Sequence, residues 1–107
     1  MEKFEKTIFY TELFNLYGPL LSKAQQEILS DYFFLDLSIS EISENRKVSR
    51  AAIEDALSKG TKKLEQYEKE LKLREKRVKV RAKADELRKL IKDEEALKVL
   101  DDMIEEF

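Results

Sequence analysis

The sequence predicts an all-α protein: a helix-turn-helix domain followed by a long, charged helical extension. Three observations carry this expectation. Two glycines and one proline in 107 residues leave little material for turns, while charged residues make up 41% of the chain. That balance, rich in Glu, Lys and Leu, favours long helices with solvated outer faces. Apolar residues recur at steps of three and four, the period of a helix that buries one face. Finally, two serines that can open helices, Ser38 and Ser49, stand eleven residues apart with almost no loop between them, the spacing of a helix-turn-helix.

The elements follow in order. Phe4, Ile8, Phe9, Leu13, Leu16 and Tyr17 place an amphipathic helix over residues 3–17, which Gly18-Pro19 stops. Ser22-Lys23-Ala24-Gln25 fits a capping box, in which the serine hydroxyl accepts from the backbone of Gln25 and Gln25 reaches back. The helix it opens carries Leu21, Ala24, Ile28, Leu29, Tyr32 and Phe33 on one face and ends near Leu35-Asp36. Ser38-Ile39-Ser40-Glu41 is a second capping box, opening a short helix from Ile39 to about Asn45. A tight connection at Arg46-Lys47-Val48 leads to Ser49, a good N-cap for the next helix. Tyr32, Phe33, Ile42, Val48, Ile53 and Leu57 are expected to meet in one core.

The helix after Ser49 is long. Ile53, Leu57, Gly60, Leu64, Tyr67 and Leu71 alternate four and three apart, an a/d seam of about three heptads. Leu57, Leu64, Tyr67 and Leu71 form a candidate homodimer seam; the alternative is that the first half of the seam packs on the preceding helices. Gly60 costs ~1 kcal/mol relative to alanine in a helix interior, and a close helix approach is one compensation. Helix continues through residues 72–92, with Leu73, Val80, Ala84, Leu87 and Ile91 on one stripe. After a break near Asp93, Leu97, Leu100, Ile104 and Phe107 recur in residues 93–107. The chain therefore divides into a helix-turn-helix domain with its N-terminal helix, 1–71, and a charged helical extension, 72–107.

The net charge of −2 hides strong zoning. Residues 1–36 carry a net −3 and residues 37–71 balance, whereas residues 72–92 carry +7 and residues 93–107 carry −6. A basic block beside an acidic tail favours a polyanionic partner or self-association. Catalytic chemistry finds little support. There is no histidine and no cysteine, which removes the usual general base, the thiolate nucleophile and the commonest nitrogen ligand of zinc. No Gly-rich phosphate loop is present. The carboxylate pairs Glu94-Glu95, Asp101-Asp102 and Glu105-Glu106 are expected to face solvent. No enzyme activity, cofactor or metal is expected. Met1-Glu2-Lys3-Phe4 lacks an apolar signal core and no apolar run spans a bilayer, so the expectation is a cytoplasmic protein with no membrane partner.

From Leu20 to Leu71 the chain resembles region 4 of sigma factors, and within that superfamily the YlxM family, small bacterial proteins encoded beside signal recognition particle genes. The residues that carry the resemblance are Leu21-Ser22 with Gln25, the aromatic cluster Tyr32-Phe33-Phe34, Ser40-Glu41-Ile42, Val48-Ser49-Arg50, Ile53, and Leu64-Glu65-Gln66-Tyr67-Glu68. The resemblance implies a sigma-like helix-turn-helix protein that regulates or assists the signal recognition particle pathway, with that particle's RNA and proteins among its potential partners. Three residues depart from the helix-turn-helix pattern. Ser43 stands where a small alanine is usual, Arg46 where an apolar residue packs, and Lys47 at the turn, where glycine accommodates left-handed backbone. A left-handed lysine costs on the order of 1 kcal/mol, which points to a rebuilt turn.

Two surfaces are candidates for nucleic acid. In a DNA reader the start of the second helix enters the major groove, which here exposes Ser49, Arg50, Ala51, Glu54, Asp55 and Ser58. Arg50 suits guanine and Ser49 a phosphate, with Lys47 and Lys59 nearby, but Glu54 and Asp55 oppose the phosphate field. On the basic helix Arg74, Arg77, Arg81 and Arg88 share one stripe, and Lys72, Lys76, Lys79 and Lys83 another. Arginine forks suit phosphate bidentately. The alternative for this face is ordinary solvation, with the acidic tail neutralising it. The expected function is a nucleic-acid-associated accessory or regulator of the signal recognition particle pathway. The alternatives are a sigma-like regulator that binds duplex DNA, and a protein-interaction module that dimerises through the long helix.

Overall fold

The computed structural model describes residues 3–107 as six α-helices and one 3₁₀ turn: α1 (Lys3–Tyr17), the turn Gly18–Leu20, α2 (Lys23–Phe33), α3 (Ile39–Arg46), α4 (Arg50–Leu71), α5 (Leu73–Leu90) and α6 (Glu94–Glu105). They fall into two compact units, Met1–Leu71 and Lys72–Phe107. The protein is all-α, as the glycine-poor, periodic sequence predicts.

In the first unit the helix starts are set by local chemistry. Ser22 and Ser38 each complete a reciprocal capping box, with Gln25 and Glu41. Ser49 caps α4 by accepting from the Ala52 backbone at 3.0 Å. Each serine satisfies a donor that the helix cannot satisfy itself. Left-handed backbone at Asp36 (φ 53°) and Lys47 (φ 57°) follows α2 and α3.

Packing is organised by α4, which lies against α1, α2 and α3. Near its C-terminal half, Leu64 joins Leu13, Tyr17, Leu21 and Leu29 in one buried cluster. Near its start, Ile53 joins Ile28 and Ile42 in a second cluster, and Leu57 packs against both. Gly60 allows the closest approach. A methyl group added there would sit 2.8 Å from Leu29 Cδ1, so the glycine offsets its poor helix propensity by admitting α2.

The single expected core is thus two, and Val48 belongs to neither. It is 42% exposed because the left-handed residue before it turns its side chain outward. The first two turns of α1 also overshoot the core: Phe4 is 74% and Ile8 43% exposed. Ala24 is exposed as well.

The second unit is a helical hairpin of α5 and α6, joined at residues 91–93. Helix does not run on unbroken from α4 as the periodicity predicts. Lys72 is left-handed (φ 56°, ψ 33°) and the helix restarts at Leu73. At the other end of the hairpin Asp93 caps α6, its carboxylate accepting from the Glu95 backbone at 2.9 Å. Only Ala84 and Leu100 of this unit are buried, and Leu87, expected on the inner stripe, is 45% exposed.

Candidate nucleic-acid interface

The turn between α3 and α4 keeps the left-handed geometry of a helix-turn-helix despite its lysine. Lys47 has φ 57° and ψ 43°, which overturns the expectation of a rebuilt turn. Ser43, one of the departures from the pattern, supplies part of the compensation. Its carbonyl accepts from the backbone of Lys47 and of Val48, and its hydroxyl donates to the Val48 carbonyl at 2.5 Å. Three hydrogen bonds around one residue hold the turn that glycine would otherwise favour.

Arg46, the second departure, faces a pair of carboxylates instead of the core. Its Nε donates to Asp31 at 2.7 Å and its Nη1 to Glu27 at 3.0 Å, clasping the end of α3 to α2. The bond to Asp31 stabilises the charged guanidinium further, and Asp31 is only 13% exposed. Nothing in the sequence pattern pairs residues 15 and 19 positions apart, so this clasp is not legible before the fold is known.

Beyond the turn, Lys47, Ser49, Arg50, Glu54, Asp55, Ser58 and Lys59 lie at the solvent-facing start of α4. The Ser49 hydroxyl already accepts a cap bond, which leaves its O–H to donate. Arg50 lines an open groove of ~400 Å³ with Ser38, Ser40 and Glu41, at the start of α3. Lys59 is paired with Asp55 at 3.0 Å, so one cation and one anion of this face cancel.

The basic helix α5 is a separate surface. Arg74 and Arg77 lie on it with Arg81, at the spacing of one helical stripe. Several of its charges are engaged locally: Lys79 with Glu75 at 3.1 Å, Lys83 with Glu86 at 3.3 Å, and Arg88 with both Asp85 and Asp101. The Lys79 ammonium holds the Glu75 carboxyl below the usual carboxylate range. The Asp101 contact is where the acidic tail folds onto the basic helix, and it involves Arg88.

The seam expected to face a partner chain is largely spent inside the first unit. Leu64 is fully buried, while Leu57 and Tyr67 pack around the same cluster. The Tyr67 ring lies 5.9 Å from that of Tyr17, tilted by 39°, and the Tyr17 hydroxyl donates to Glu68 at 2.7 Å. Leu71 alone is exposed, at 46%. The physical reason is α1: its Leu13 and Tyr17 cover the stretch of α4 that the helix-turn-helix leaves bare. Among the described residues no group of acidic side chains is arranged to hold a metal ion, and no helix is long and apolar enough to cross a membrane.

A family model, UPF0122, described as "Putative helix-turn-helix protein, YlxM / p13 like", matches residues 4–106. A UPF0122 protein of Shouchella clausii is 36% identical over 101 residues, covering 94% of this chain and 93% of its own length. A UPF0122 protein of Thermoanaerobacter sp. (strain X514) is 33% identical over 106 residues, covering 92% of this chain and 91% of its own. A UPF0122 protein of Malacoplasma penetrans matches more strongly but more locally, 49% identical over 59 residues, 55% of each chain. The capped helix-turn-helix, the long α4 and the full-length match converge on one assignment: the chain belongs to the UPF0122 family of YlxM / p13-like helix-turn-helix proteins.

Proposed function

We propose that the protein is a non-enzymatic, nucleic-acid-associated accessory of the signal recognition particle pathway, and that α5 is its main phosphate-gripping surface. The observation that carries this reading is a contrast of charge. The start of α4 is electrically balanced, with Asp55 cancelling Lys59 and Glu54 exposed. The α5 segment, residues 72–92, holds a net +7. Affinity for a phosphate backbone comes chiefly from released counterions, which only a surplus of positive charge can displace. Arg74, Arg77 and Arg81 follow one helical stripe and offer planar forks to phosphate. The pathway itself rests on the resemblance to YlxM proteins.

A second reading is favoured by the intact turn. Left-handed Lys47 and exposed Ser49 and Arg50 have the arrangement of a duplex-DNA reader. Filter binding to structured RNA and to duplex DNA at several salt concentrations separates the two. Arg74→Gln, Arg77→Gln and Arg81→Gln together are expected to lower affinity and to reduce the salt slope, by about one unit for each phosphate no longer neutralised. Arg50→Gln alone is expected to change little. If Arg50→Gln abolishes duplex binding and the triple variant does not, the DNA reader replaces the first reading. If neither changes binding to any nucleic acid, the protein is an interaction module.

A further inference from the structure

The hairpin of α5 and α6 is too small to close its own core. Residues 72–107 bury only Ala84 and Leu100, and the chain has no cysteine to staple them. Units below about 40 residues usually need a disulfide, a metal or a partner to stay folded. Among the described residues no metal-holding group exists either.

The missing surface can be located. On α6, Leu97, Leu100 and Ile104 turn toward α5, and Leu100 is 5% exposed. Val99 and Met103 lie four apart on the adjacent flank, Phe107 follows four residues later just past the end of α6, and the three are 56%, 55% and 40% exposed. On α5, Leu87 and Leu90 are 45% and 77% exposed, on the flank of the Ala84 stripe away from the arginines. The apolar faces of both helices are therefore wider than the contact between them.

The rims of this surface carry opposite charge. Glu95, Asp102 and Glu106 border the Val99–Met103–Phe107 stripe at helical spacing and are exposed. Lys76 and Lys83 continue the Leu87–Leu90 flank toward the start of α5, Lys72 stands just before that helix, and all three are exposed. One edge of the hairpin thus presents a basic helix and an acidic helix, each with exposed apolar side chains.

We propose that this edge docks on the same edge of a second copy of the chain, with α6 of each copy packed on α5 of the other in a four-helix arrangement. A twofold interface must be self-complementary, and this one is: the acidic rim of α6 meets the basic rim of α5 twice. A foreign partner would have to reproduce both charges in the same order. The interface leaves the exposed Arg81 uncovered but pairs Lys72, Lys76 and Lys83, three of the ten cations of residues 72–92, so the arginine substitutions test nucleic-acid binding apart from association.

Sedimentation of the full chain from micromolar to hundreds of micromolar tests this. The wild-type chain is expected to dimerise, and Met103→Glu to weaken association at least ~10-fold, the scale of a central interface residue. Two charge-reversed chains give the sharper readout. Glu95→Lys, Asp102→Lys and Glu106→Lys in one, and Lys72→Glu, Lys76→Glu and Lys83→Glu in the other, should each be monomeric alone and dimeric when mixed. All six positions are exposed, and recovery on mixing distinguishes repulsion from misfolding. Arg74→Gln, Arg77→Gln and Arg81→Gln should leave association unchanged. A wild-type chain that stays monomeric throughout, or a dimer indifferent to Met103→Glu and to both charge reversals, overturns the proposal.

Discussion

The helix-turn-helix unit and the hairpin are both built from amphipathic, highly charged helices, but they bury them differently. In the first, α4 lies against three helices, and Leu64 and Ile53 are fully buried. In the second, α5 lies against α6, and Leu90 stays 77% exposed. An amphipathic helix with an apolar stripe about a third of its circumference wide needs neighbours on more than one side. The first unit supplies them within the chain. The two helices of the second do not supply them for each other, so apolar side chains such as Leu90 and Val99 stay exposed.

That contrast can be broken most easily in the first core. Ile53→Ala is expected to cost ~2–5 kcal/mol in chemical denaturation, because a fully buried side chain leaves a cavity between α2, α3 and α4. A loss below ~1 kcal/mol would show that the helix-turn-helix packing is wrong. The matching change in the hairpin is Leu100→Ala. Its expected cost is ~2 kcal/mol, at the low end of the range for such truncations, since a sparse hairpin core relaxes more easily. Hydrogen exchange should show faster opening of α5 and α6 with α4 unchanged. Equal loss of protection in α4 would mean that the two units open together.

Smaller effects probe the turn and the α1–α4 contact. Lys47→Gly is expected to stabilise the fold by ~0.5–1 kcal/mol, because glycine enters left-handed backbone without the steric penalty of a Cβ, less its greater freedom when unfolded. Destabilisation instead would show that the lysine side chain contributes a contact of its own. The smallest effect is a pH dependence. The Tyr10 hydroxyl donates to the Glu65 carboxylate, and that bond, with burial, pushes the phenol up from 10.0 to about 12. The folded state holds this proton more tightly than the unfolded chain. The bond's contribution is therefore complete below pH 10 and is lost as pH rises through about 12. Tyr10→Phe should remove that component of alkaline destabilisation in a comparison of the two chains' pH–stability curves.

Much of this architecture is legible in the sequence where it depends on near neighbours. The capping boxes at Ser22 and Ser38 and the cap at Ser49 appear where the spacing places them. The exposure of Ser49 and Arg50 also follows from helical period and the cap. The errors arise where distant residues compete for the same surface. Leu64 and Tyr67 have the spacing of a seam for another chain, but α1 reaches them first. Lys47 is an unfavourable residue for its turn, but Ser43 and Val48 hold it there.

The sequence by itself determined that this chain is helical, where most helices begin, and that positive charge concentrates in residues 72–92 while the acidic tail follows. These are properties of period, capping and composition, and they act within a few residues. Only the tertiary structure decided which apolar stripes are consumed inside the molecule. It placed Leu29 against Gly60, Arg46 against Asp31, and Leu13 and Tyr17 over the α4 seam. It also left Val99, Met103 and Phe107 uncovered. Burial depends on which helix faces which, and that is settled by the competition of all the apolar faces for one another.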